Sequence, residues 1–168
     1  MKRVLGAALI LAMVLPVSVA WGEVRGPSTS EERKKAVEII RALEIQPFHK
    51  DARDARGWLV VWLAEIPDIT VSFCTALLGP TFEHQKKYAA ELAVQQGFSS
   101  AAFMIESPAQ AANQEAVNLA GVEGVLRAYQ SLLAEKPKAR FPSLDALLKA
   151  KSDGALASVV AENAKGCK

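Results

Sequence analysis

Only one stretch of this chain carries the pattern of a β-strand: Ile69-Thr70-Val71-Ser72-Phe73 alternates with period two and is β-branched. A single strand has no neighbour to take its N–H and C=O groups, and no other segment reads as its partner. A sheet is therefore excluded, and apolar residues have to be buried by helices. The chain is expected to be all-α, an irregular or orthogonal bundle of about six to seven helices in a single domain. On this reading Asp68 is an N-cap and 69–78 is a buried helix stopped by Gly79-Pro80.

The rest of the chain supplies helical periodicity between Pro- and Gly-marked breaks. Thr29-Ser30-Glu31-Glu32 matches a capping box ahead of Ala36, Val37, Ile39, Ile40 and Leu43, so a first helix is expected over about 31–45, ended by Gln46-Pro47. Asp51 can cap a second, in which Ala55, Trp58, Leu59, Trp62, Leu63 and Ile66 recur at helical spacing before Pro67. Further helices are expected over 82–96, closed by Gly97 as a left-handed cap, over about 99–106 and over roughly 110–135. Gly121 and Gly124 interrupt the longest of these, which points to a close helix crossing or a bend. Two final helices, about 143–151 and 153–164, are expected to be capped by Ser143 and Asp153. Val125, Tyr129, Leu132 and Pro137 fit the second half of a tetratricopeptide unit, but its first half is missing and no second copy follows.

The N-terminus reads as an address. Lys2 and Arg3 precede the apolar run Val4 to Leu15, about twelve residues where a bilayer span needs roughly twenty. Pro16 ends that run, and Ser18-Val19-Ala20 places small residues at a cleavage site. Residues 1–20 are thus expected to be a signal peptide cut after Ala20 or after Gly22, which makes the protein periplasmic or secreted. Residues 21–30 follow as a flexible lead-in, and 31–168 as the helical domain. Cleavage removes Lys2 and Arg3, so Lys+Arg falls from 20 to 18 against 18 Asp+Glu. A neutral domain has no net attraction for phosphate backbones, which argues against a nucleic-acid partner. It is expected to keep no membrane span.

Cys74 and Cys167 are the two cysteines, and in an oxidising compartment an even count favours a disulfide. The bridge would close a loop of about ninety residues, for which the chain-entropy model gives roughly 4 to 5 kcal/mol.

No catalytic motif stands out, and nothing in the residues calls for a cofactor or a metal. His49 and His84 lack helical spacing from other ligands. Trp58 and Trp62, one turn apart, are core residues by preference and an aromatic binding pair by alternative. Glu123, embedded in Ala120-Gly121-Val122-Glu123-Gly124-Val125, is expected to pair with Arg127 one turn on; buried instead, it could serve as a general acid in glycan cleavage, with Glu115 as the other candidate. Tyr129 could join Trp58 and Trp62 around an apolar cavity. The expected function is that of an exported, non-catalytic helical protein that binds a protein or peptide partner in the bacterial cell envelope. The alternatives are an envelope glycan hydrolase using Glu123 or Glu115, and a carrier of a small apolar ligand.

Overall fold

The computed structural model describes residues 25–167, so the expected signal peptide and the start of the lead-in lie outside the described residues. Six α-helices follow one another: α1 (Ser30–Ile45), α2 (Ala52–Glu65), α3 (Ala89–Glu106), α4 (Gln114–Glu135), α5 (Pro142–Ser152) and α6 (Leu156–Ala164). Two 3₁₀ turns, Thr75–Leu78 and Pro108–Gln110, complete the regular structure, and no strand occurs among the described residues. The all-α expectation is borne out.

The start of α1 is the capping box read from the sequence. Thr29 Oγ1 accepts from the Glu32 N–H, and the Glu32 carboxylate accepts from the Thr29 N–H. Asp51 stands at the N-cap of α2, although its side chain makes no capping bond there.

Three expectations are corrected. The helix placed over 69–78 is absent. Ile69–Phe73 runs with neither turn nor bend into Cys74, whose backbone is extended, and only Thr75–Leu78 coils. A helix would be required only if the segment were buried, but Thr70, Ser72 and Phe73 are exposed, so water can serve the backbone and the β-branched preference for extended chain prevails. Asp68 accordingly caps no helix; its carboxylate accepts from the Ser28 N–H and Oγ, both at 2.8 Å, and from Arg33. It moors the lead-in to the end of α2.

The second correction concerns the two helices expected over 82–96 and 99–106. Residues 80–88 are mainly turns, and one uninterrupted α3 runs through Gly97. Gly97 is there for space: a Cβ on it would lie 2.3 Å from the Phe73 ring. Tyr88 precedes α3 at φ 75°, a left-handed conformation, and its ring meets Phe48 edge-on at 4.6 Å. The third correction is at the last two helices. Pro142 opens α5 with Phe141 in the capping position, Ser143 is buried, and Asp153 closes α5 instead of opening α6. Gly154, at φ +72°, turns the chain between them.

Helices α3 and α4 cross at the centre. As their positions suggested, Gly121 and Gly124 allow the approach: a Cβ on Gly124 would stand 1.9 Å from Ser99 Oγ, and one on Gly121 2.4 Å from Ser100 Oγ. Two apolar clusters flank this crossing. One gathers Leu77, Leu78, Phe82, Leu92, Leu126, Tyr129, Phe141, Leu144 and Val160; the other gathers Ala36, Ile40, Leu59, Trp62, Ile66, Ile69, Phe98 and Ala101. Cys74 and Cys167 are bonded, with Cα atoms 5.7 Å apart, which ties the C-terminus to the end of the extended segment.

Candidate functional site

The sequence of α2 is almost wholly apolar from Gly57 to Ala64, which is more than one buried face can absorb. Leu59 and Trp62 turn inward, leaving Val60 and Val61 at 51% and 56% exposure. Beyond Pro67 the chain doubles back as the extended segment, and between it and α2 lies a groove of about 500 Å³. Its walls are Val60, Leu63 and Ala64 on one side and Ile69, Thr70, Val71 and Phe73 on the other, with Val94 of α3 between them. Phe73 is 53% exposed; its ring sits over Gly97 and meets Phe98 edge-on at 6.2 Å.

A second unusual feature is buried. Gln95, Gln96, Ser99 and Ser100 form a polar patch in the middle of α3, facing the glycines of α4. Glu44 from the last turn of α1 reaches this layer and is 2% exposed. Its carboxylate accepts from Arg127 at 2.7 and 3.0 Å, from Arg41 at 2.7 Å and from Ser99 Oγ at 2.7 Å. Burial pushes this carboxyl up, but the bonds from Arg127 and Ser99 and the charges of Arg41 and Arg127 outweigh it and hold the group below its ordinary value. With both carboxylate oxygens of Glu44 bonded, this is an ion cluster that locks α1, α3 and α4 together.

The candidate residues of the sequence do not converge. Trp58 and Trp62 stack at 5.7 Å; Trp62 is buried, while Trp58 is partly covered by Lys35, whose ammonium lies 4.2 Å above its ring. Together they border a shallow depression with Arg25, Glu32, Val61 and Glu65. Tyr129 belongs to the other apolar cluster and is fully buried. Its hydroxyl donates to Asp145 and accepts from the Phe141 N–H; burial foremost, with Asp145 beside it, pushes the phenol up to about 12. The three aromatic residues therefore line no common cavity.

The pairing of Glu123 with Arg127 is corrected. Arg127 reaches across to Glu44, and Glu123, with its side chain 36% exposed, pairs with Lys151 of α5 at 3.0 Å. Glu115 is exposed at the edge of a hollow between α4 and α6. His84 lies exposed beside Phe82, and His49 beside Asp51. Among the described residues no group of three or more His, Cys, Asp or Glu side chains could hold a metal ion, and no helix is long and apolar enough to cross a membrane.

No family model, curated protein or solved structure matches this chain. Function has to be read from the site itself.

The groove and the ion cluster both escaped the sequence reading. For the cluster a signal existed: the pairs Gln95-Gln96 and Ser99-Ser100, four residues apart within an apolar helix, mark a polar stripe, and Gly121 with Gly124 marks its counterpart. For the groove the signal is the strand-like alternation of Ile69–Phe73, which marks an extended chain even where no partner strand exists.

Proposed function

We propose that this chain is an exported, non-catalytic binding protein of the bacterial envelope, and that it holds a protein or peptide partner in the groove beside α2. The observation that supports this reading is the exposure of Val60 and Phe73 on opposite walls of one apolar hollow. Exposed apolar side chains are ordinary when scattered, whereas a contiguous set around a concavity gains from being covered. The N-terminal pattern from Lys2 to Ala20 supports export, and the bond between Cys74 and Cys167 suits an oxidising compartment. Carboxylates offer no comparable support for chemistry, because Glu123 is committed to Lys151 and Glu115 is open to water.

Two measurements test this. Intact mass of the protein recovered from the periplasm or medium is expected to begin at Trp21 or Glu23; full-length protein confined to the cytoplasm would refute export. A photo-crosslinking residue at Ala64, in the groove wall, is expected to capture a discrete partner in envelope preparations, and the same probe at Ser158 on α6 is not. Capture from both positions alike, or none from Ala64, would refute the groove as the binding surface.

A further inference from the structure

We infer that the groove takes an extended, uncharged segment of a partner protein, which adds as a strand alongside Thr70–Phe73. This inference rests on the reading of the groove as a binding surface and adds the chemistry of its occupant.

Three features of the groove define that chemistry. The first is backbone. Among the described residues, no N–H or C=O of Ile69–Phe73 makes a hydrogen bond, and the next residue, Cys74, gives its N–H to the Gln96 side chain. An unbent chain with free peptide groups along a groove is a template for another extended chain, since main-chain hydrogen bonds supply affinity without demanding a particular sequence. The segment is about 16 Å long at the rise of a strand. Its occupant is accordingly a short stretch of extended peptide.

The second feature is side-chain alternation. Ile69 is buried and Val71 half-buried, while Thr70 and Ser72 face water. Every second side chain of an added strand would then turn toward Val60, Leu63, Ala64 and Val94, and small or β-branched apolar residues suit that space. The third is charge. No lining side chain is charged, and the charges at the Pro67 end are already matched: Glu65 with Arg25, and Asp68 with Arg33 and Ser28. A charged residue entering the groove would lose water and find no counter-ion, so the complementary segment is uncharged.

A second copy of this chain meets these requirements poorly. Its own Ile69 and Val71 are turned into its own interior, so edge-to-edge pairing of two copies would leave both grooves unfilled.

The test uses the mature protein with its disulfide intact and a short, acetylated and amidated peptide alternating valine and serine. Calorimetric titration is expected to show binding, and amide exchange at Thr70–Phe73 is expected to slow by about tenfold or more in the complex. N-methylation of alternate peptide nitrogens, or Val60→Lys in the groove wall, is expected to weaken binding by about tenfold. Binding with unchanged exchange at Thr70–Phe73, or undiminished by N-methylation, would overturn strand addition while leaving the groove as a binding surface. No binding of the peptide would overturn the inference about the occupant, whereas the groove itself stands or falls with crosslinking at Ala64. Sedimentation as a dimer that Val60→Lys dissociates would assign the groove to a second copy and overturn the proposal.

Discussion

Glu44 shows how one residue can hold three helices. A carboxylate taken out of water is unfavourable unless its lone pairs are filled, and here two guanidiniums and a hydroxyl fill them. Glu44→Ala is expected to destabilise the fold by about 3 kcal/mol, toward the lower end of what breaking a buried pair costs because Arg41 and Arg127 can turn to water. Glu44→Gln keeps an acceptor for Ser99 and is expected to lose roughly half as much in urea unfolding. Equal stability of all three proteins would show that the cluster contributes nothing. The same residue sets a pH dependence. Its folded-state value is depressed, so its stabilisation is complete above the ordinary 4.5 and disappears as pH falls through the lowered value. Asp68 behaves likewise: despite the opposing effect of burial, the Ser28 N–H and hydroxyl and Arg33 hold its carboxyl at about 2, against 3.8 ordinarily. Stability is therefore expected to fall on acidification below these ordinary values, and Asp68→Asn is expected to flatten the part lost between 3.8 and about 2. Unfolding measured across that range in both proteins checks the sign.

At the scale of elements the glycines separate two kinds of helix. Gly124→Ala is expected to destabilise by roughly 2 to 3 kcal/mol, because the new methyl meets Ser99 Cβ at 2.2 Å and the Glu44 carboxylate at 2.7 Å. The gain of about 1 kcal/mol in helix propensity does not offset this. Gly57→Ala, on the exposed face of α2 with nothing within 4 Å, is expected to stabilise by up to about 1 kcal/mol. A thermal melt that ranks the two variants the other way would refute the close crossing. These elements also mark how far the sequence could be read. The capping box at Thr29, the core face of α2 and the crossing glycines were legible because each follows from a local rule with a fixed spacing. Gly97 was not: its local rule, a left-handed helix end, was displaced by a distant ring, Phe73, that needs the space. Pairing of Arg127 with Glu44 was hidden in the same way, since a sequence offers the neighbour Glu123 and conceals a partner 83 residues away. The extended segment escapes the pairing rule because backbone groups must pair within the protein only where water is excluded, and Thr70, Ser72 and Phe73 are exposed.

The molecule as a whole depends on how its ends are fixed. Through Asp68 the lead-in is tied to the turn after α2, and through Cys167 the C-terminus is tied to Cys74, so both attachments bracket the segment that walls the groove. The disulfide spans 93 positions and joins α6 to the 3₁₀ turn, beside contacts such as Asn163 Nδ2 to the Leu77 carbonyl. Closing so long a loop in the unfolded chain corresponds to roughly 4 to 5 kcal/mol in the chain-entropy model, a large share of the 5 to 15 kcal/mol typical of a domain. Cys74→Ser with Cys167→Ser is therefore expected to lower the urea midpoint substantially, and reduction of the native protein is expected to do the same. Because Cys74 opens the 3₁₀ turn, the loss should also be local: amide exchange is expected to rise first in the hydrogen-bonded amides of 74–78 and in α6, ahead of α3 and α4. Uniform exchange across all helices would mean that the bridge acts only on the unfolded chain, and an unchanged midpoint would mean that the packing of α6 against α4 holds the C-terminus without it.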